Sequence, residues 1–173
     1  MDKKEIIKNI ALRTKGDIYL GVVGAVRTGK STFIKKMVET LIVPNIIDEY
    51  DKKRCLDEIP QSAQGKTIMT TEPKFVPNNA AKVTVDDFDC NIKLIDCVGY
   101  VIKDAKGIED ENGPRYVMTP WYSEPIPFVE AAEIGAEKVI KDHSTIGIVV
   151  TTDGSFGEFS REDYLEAEET VIN

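Results

Sequence analysis

Little in this sequence could cross-link it or hold it in a membrane. Cysteine occurs three times, at Cys55, Cys90 and Cys97. The number is odd and no CxxC spacing occurs, which argues against a disulfide framework or a zinc site and for reduced thiols in a cytosol. No apolar run approaches the roughly 18 residues of a membrane span. Residues 1–10 carry charge but no hydrophobic centre, so they are not read as a secretory signal. Positive charge is also scarce: 22 Lys and Arg against 30 Asp and Glu leave a net charge of −8. So acidic a surface repels a phosphate backbone, and no nucleic-acid partner is expected, although one nucleotide needs only a local pocket. The single histidine, His143, ends a predicted helix and is read as a cap rather than a catalyst. The expected location is a cytoplasm.

What is present suits one globular domain. The 173 residues, 42% of them hydrophobic, are enough to bury a core. Ile6, Ile7, Ile10 and Ala11 share a helical face before Gly16, which predicts an N-terminal helix within residues 1–16. It is read as packing on its own domain, with docking to a partner or membrane surface as the alternative. Residues 17–173 form the main domain. Residues 17–23 are nearly continuously apolar, as in a strand buried on both faces of a parallel sheet. Residues 30–43 read as a helix with Phe33, Ile34, Met37, Val38, Leu41 and Ile42 on its apolar face and Pro44 closing it. Residues 45–77 show no sustained period and are expected to be a long, largely irregular segment. Residues 82–85 and 91–95 predict a hairpin. Residues 107–127, rich in Pro, Gly and acids, predict a second excursion.

Beyond it, residues 128–141 resume helical spacing with Ala131, Ala132, Ile134, Val139 and Ile140. Residues 145–151 read as another doubly buried strand. Residues 160–172 read as a helix whose capping box is Ser160 and Asp163. Alternating strands and helices predict an α/β fold, mainly a parallel sheet flanked by helices. About four strands are legible where doubly wound sheets have five or six, so the expectation is a piece of a longer protein or a sheet completed by other residues.

The strongest chemical signal is Gly24-Ala25-Val26-Arg27-Thr28-Gly29-Lys30-Ser31, followed by Thr32 at the start of the helix. It satisfies G-x-x-x-x-G-K-[ST], with a strand before it and a helix after it. Glycines let backbone N–H groups approach a phosphate, and the helix N-terminus adds its positive dipole. Lys30 is expected on the β- and γ-phosphates, and Ser31 on Mg2+. Asp96-Cys97-Val98-Gly99 ends a predicted strand, where a carboxylate can hold Mg2+ through water and a glycine N–H can meet the γ-phosphate. Thr70 and Thr71 lie between these motifs, where a switch threonine closes on Mg2+. The spacing does not distinguish the two. Together these motifs predict a P-loop nucleoside triphosphatase of the GTPase-like (TRAFAC) type.

Two signals are missing. The position after D-x-x-G, where small GTPases carry a water-orienting Gln, is Tyr100. Also, the one literal match to a guanine-reading [NT]-K-x-D, Thr14-Lys15-Gly16-Asp17, precedes the P-loop and is a coincidence. Arg27, midway along the loop, is therefore a candidate internal arginine finger, with an outward-facing surface role as the alternative.

The stretches GVVGAVRTGKSTFIKKM, QGKTIMTTEPKFVPN, DCVGY, EDENGPR, TPWYSEPIPF, EAAEIG and HSTIGIVVTTDG occur in this order. Across essentially the whole chain they resemble the stage IV sporulation protein A family, the spore-coat morphogenetic ATPases of endospore-forming bacteria. The resemblance implies a GTPase-like fold without guanine specificity that hydrolyses ATP. It implies ATP-driven polymerisation on the outer forespore membrane, in the mother-cell cytosol, as a foundation for other coat proteins and with a small membrane-associated anchor protein. It makes Lys30 the phosphate lysine, Thr70 and Thr71 the sensor threonines, and Asp96 the second metal-site acid. Family members continue past residue 173. The competing readings are a GTP-dependent switch and a P-loop kinase; the D-x-x-G argues against the kinase.

Overall fold

The computed structural model describes residues 12, 14, 16–60, 71–85, 88–102, 105, 107–111, 113–155 and 159–172. Most of the predicted N-terminal helix, and Thr70, lie outside them. The chain opens with β1 (Asp17–Val23) and α1 (Lys30–Met37), which runs on through a π turn (Val38–Ile42) and a 3-10 turn (Val43–Asn45). α2 (Glu49–Asp57), β2 (Lys74–Val85) and β3 (Phe88–Asp96) follow. Four two-residue strands come next: β4 (Glu109–Asp110), β5 (Gly113–Pro114), β6 (Tyr116–Val117) and β7 (Ile126–Pro127). α3 (Phe128–Lys138), a π turn (Val139–His143), β8 (Ile146–Val149) and α4 (Arg161–Ile172) complete the described chain.

The central sheet has the order β2-β3-β1-β8. β1 lies parallel to both β3 and β8, while β2 runs antiparallel to β3 as the predicted hairpin. Side chains alternate across β1. Ile18, Leu20 and Val22 face α1 and α2 together with Leu94, Ile34, Val38 and Cys55. Val23 and Ile95 face α3 and α4 with Ala136, Val139, Tyr164 and Ala167. Helices therefore cover both faces, and the C-terminal ends of β1 and β3 meet at one edge, where ligands bind in such sheets.

Four expectations are corrected. First, the helix after the P-loop buries Ile34, Val38, Ile42 and, beyond it, Ile46, but exposes Phe33 (37%) and Leu41 (58%). The π turn widens the helix, so the buried stripe steps by four and Leu41 rotates outward. Second, residues 45–77 are not irregular: they contain α2 and the start of β2. Asp48 caps α2 by accepting from the Asp51 N–H at 2.9 Å. Cys55 is the only buried residue of that helix, so no apolar period announces it. Third, β2 begins at Lys74, well before residue 82, and shifts register between Val76 and Ala81. Pro77 has no N–H to donate there, a defect tolerated at a bulge on an edge strand. Fourth, β8 is half exposed rather than doubly buried, with Val149 at 42%. It forms one edge of the sheet among the described residues.

The second excursion is built from two small ladders, β4 with β5 and β6 with β7. The Arg115 guanidinium lies 4.9 Å from the centre of the Phe128 ring at the start of α3. His143 ends the π turn after α3, and its ring packs edge-on to Phe75 at 5.6 Å. The capping box of α4 is present: Asp163 accepts from the Ser160 N–H at 2.7 Å.

Candidate functional site

β1 delivers the chain to Gly24, and the loop turns back into α1 at Gly29. Gly29 has φ 92, a left-handed conformation that suits glycine, and no side chain caps the helix there. The first N–H groups of α1 are thus open toward the loop, the arrangement that attracts anions. The loop is braced from within. The Thr28 hydroxyl donates to the Ala25 carbonyl at 2.9 Å. Lys30 Nζ donates to the Ala25 carbonyl at 2.5 Å and the Gly24 carbonyl at 3.3 Å. Lys30 is only 5% exposed, and burial holds its pKa below the ordinary lysine value, against the opposing pull of Cys97 and Asp96.

β3 ends beside this loop because it is parallel to β1 and in register, Val22 opposite Asp96. Ser31 Oγ donates to Asp96 Oδ2 at 2.8 Å. Burial raises the Asp96 pKa, while the Ser31 bond and the Lys30 charge pull it down. Its other oxygen, Oδ1, is buried without a hydrogen-bond partner. A hydroxyl and a carboxylate with a spare, buried oxygen suit a hard divalent cation such as Mg2+. An unsatisfied carboxylate oxygen is costly otherwise. Among the described residues no cluster of three His, Cys, Asp or Glu side chains offers a different metal site.

The turn after Asp96 is stitched to the loop by backbone. Tyr100 N–H donates to the Gly24 carbonyl at 3.1 Å, and the Tyr100 carbonyl accepts from Val26 N–H at 2.8 Å. Between them Gly99, at φ 90, comes so close that a Cβ would sit 2.5 Å from Lys30 Nζ and overlap the Gly24 carbonyl oxygen. Cys97 is no nucleophile: burial pushes its thiol up to about 11, and its Sγ lies 3.5 Å from the Val22 carbonyl.

The structure therefore gathers Gly24, Ala25, Val26, Thr28, Gly29, Lys30, Ser31, Asp96 and Gly99 around one loop. Thr32 stands on the exposed side of α1. Arg27 is exposed, has φ 61, and acts electrostatically on Tyr164 of α4, partly offsetting the upward shift that burial gives that phenol. Thr71 is buried at 3% exposure with its carbonyl facing α3, where a Cβ on Gly135 would come within 2.7 Å of it. The coincidental Thr14–Asp17 match sits at the far end of β1, about 20 Å of strand away from the loop. The Thr28 brace and the Tyr100 backbone bonds were not foreseen. Backbone partners carry no side-chain signature; only Gly99 hinted at a close approach. Among the described residues no helix is long and apolar enough to cross a membrane.

The whole chain, residues 1–173, matches the family model described as stage IV sporulation protein A, ATPase domain. Among curated proteins it is 68% identical to stage IV sporulation protein A of Bacillus subtilis (strain 168) over 99% of this chain and 35% of that protein. It is 66% identical to the Bacillus anthracis protein of the same name over 100% of this chain and 35% of that protein. For the Clostridioides difficile (strain 630) protein the identity is 55%, over 96% of this chain and 34% of that protein. The chain spans about a third of the length of these relatives. No solved structure matches it significantly.

Proposed function

From a chain that belongs to the stage IV sporulation protein A family, in its ATPase domain, we propose an enzyme that binds ATP with Mg2+ at residues 24–31 and hydrolyses the β–γ phosphoanhydride. The observation that carries this reading is the Ser31–Asp96 pair at 2.8 Å, with Asp96 Oδ1 left without a partner beside the buried Lys30. The strand order, with an antiparallel β2 outside parallel β3 and β1, supports the GTPase-like type over other P-loop classes.

Each residue then has a task. The N–H groups at the start of α1 bind phosphate oxygens, and Lys30, desolvated and held over the loop, neutralises charge on the β- and γ-phosphates. Ser31 and Asp96 hold Mg2+, which when bound neutralises charge shared by those phosphates. Gly99 presents its N–H from a turn that no larger residue fits. Thr70 and Thr71 belong to the segment that senses the γ-phosphate, and Arg27 is placed to lend a guanidinium to the transferred charge. No guanine-reading motif follows the P-loop within these residues and the family resemblance implies ATP, so the pocket is read as preferring ATP or not discriminating the base. By the family resemblance, ATP would drive self-assembly in the mother-cell cytoplasm at the forespore surface. Coat proteins and a small membrane-associated anchor would be its partners there.

Competition between ATP and GTP for a fluorescent nucleotide, alongside turnover of Lys30→Ala, tests the reading. ATP should compete at least as well as GTP, and the folded variant should lose turnover. Selective GTP binding would favour the switch reading, and full turnover by Lys30→Ala would remove the loop from the mechanism.

A further inference from the structure

The backbone that meets the P-loop at Tyr100 also forms the floor of a surface groove. The groove lies between α3 and α4 and encloses about 330 Å3. Its floor is apolar: Tyr100 and Ile102 are 9% and 3% exposed, Ala167 of α4 is buried and Val101 is half-buried. Its rim is acidic, with Glu133 of α3 facing Glu162, Asp163 and Glu166 of α4, all exposed. Asp163 is engaged by Ser160. Glu133, Glu162 and Glu166 make no ion pair with any described residue.

These rim carboxylates have no basic partner among the described residues, and burial together with Glu130 holds the Glu133 carboxyl above its ordinary value. A Lys or Arg side chain answers both halves of the surface. Its charged head neutralises the rim while its aliphatic stem covers the floor.

We infer that this groove docks a basic, amphipathic segment of a partner protein, with Lys or Arg heads between Glu133 and the Glu162–Glu166 edge and apolar residues over Tyr100 to Ile102. Charge selects that occupant. Nucleic acid and anionic membranes are repelled. A second copy of this chain carries the same net charge of −8, so two copies repel one another overall. A bare metal ion would leave the floor uncovered. Because Tyr100 is bonded to both Gly24 and Val26, an occupant that presses on the floor also acts on the phosphate loop. This coupling, but not the docking, rests on the proposed nucleotide site.

The test is fluorescence anisotropy of the whole chain with a labelled Lys/Leu peptide at helical spacing, a scrambled peptide of the same composition, and oligolysine of equal charge. The amphipathic peptide should bind about tenfold or more tighter than either control. E133Q/E162Q/E166Q should weaken it by a similar factor, at positions exposed enough to leave the fold intact. Thr170→Trp, which fills the groove from its exposed rim, should do the same with every charge retained. Equal binding by wild type and the triple variant overturns the inference, and so does equal binding of oligolysine. Capture by anionic vesicles, or a dimer that the triple variant dissolves, would replace the occupant and equally overturn it. Repeating the titration with ATP and Mg2+ reads the coupling separately. A change in peptide affinity that Lys30→Ala abolishes supports the link. Unchanged affinity at an intact groove refutes the coupling alone.

Discussion

Gly99→Ala tests whether the D-x-x-G turn and the P-loop are held as closely as the structure shows. Two costs can be separated. At φ 90 an alanine pays a left-handed penalty of about 1–2 kcal/mol. Its Cβ would also lie 2.5 Å from Lys30 Nζ and overlap the Gly24 carbonyl oxygen. The lysine is buried and bonded to the Ala25 carbonyl, and a backbone carbonyl cannot swing aside. The turn must therefore retreat and loosen two backbone bonds, Tyr100 to Gly24 and Val26 to Tyr100, at about 1 kcal/mol each. The sum is about 3–4 kcal/mol, a large share of a typical domain's stability of about 5–15 kcal/mol. Gly29→Ala is the control. Gly29 has nearly the same φ, 92, but nothing lies within 4 Å of its would-be Cβ, so that variant shows the torsional part alone. Urea unfolding gives both values, provided the dependence on denaturant is unchanged. Turnover adds a second reading, since the Gly99→Ala variant would keep the backbone N–H and any loss reports geometry. A Gly99→Ala cost no larger than that of Gly29→Ala, with wild-type turnover, would refute the close approach.

Arg27 separates strain from charge in the same way. Arg27→Gly should be about 1 kcal/mol more stable than Arg27→Ala, since only glycine adopts φ 61 without penalty. Both should bind ATP yet cut single-turnover hydrolysis, by about a thousandfold if the guanidinium acts as a finger. Unchanged single-turnover rates would assign Arg27 to the surface. Asp96 predicts a pH signature without nucleotide. Burial raises its folded pKa above the unfolded one, so its contribution to stability is full below the ordinary carboxylate value and is lost as pH rises through the folded pKa. Asp96→Asn should remove that decline from the urea midpoints of the nucleotide-free protein, and an identical pH profile in both proteins would contradict the assigned shift.

The fold was legible where one apolar face is long and regular. β1 could be read to the residue, because both its neighbours are strands and both its faces are covered. α2 could not, because a helix that fully buries only one cysteine has no apolar period. Only Asp48, with Glu49 and Asp51 in the first turn, marks its start. β2 was cut short by Pro77, Asn78 and Asn79, poor strand residues that a bulged edge accommodates. β8 misled in the opposite direction. Its apolar run is that of a central strand, while in this structure Gly147 and Val149 face outward. A sequence records how apolar a residue is, not which neighbours are present to cover it.

The candidate site was legible where chemistry resides in side chains at fixed spacing. Lys30 and Ser31 are fixed by their place at the start of a helix, and Asp96 by its place at the end of a strand, so the pairing of Ser31 with Asp96 follows once β3 is parallel to β1. What escaped is the part made of backbone. Tyr100 was notable in the sequence only as a missing glutamine, yet its N–H and carbonyl join the two motifs. Thr71 shows the same limit from another side. Its position between motifs suggests a switch, but its carbonyl lies against Gly135, a residue of α3 that follows the whole second excursion. A side chain at position 135 would push the two apart. Thr71 and the helix that walls the acidic groove therefore lie against each other, with no room for a side chain between them.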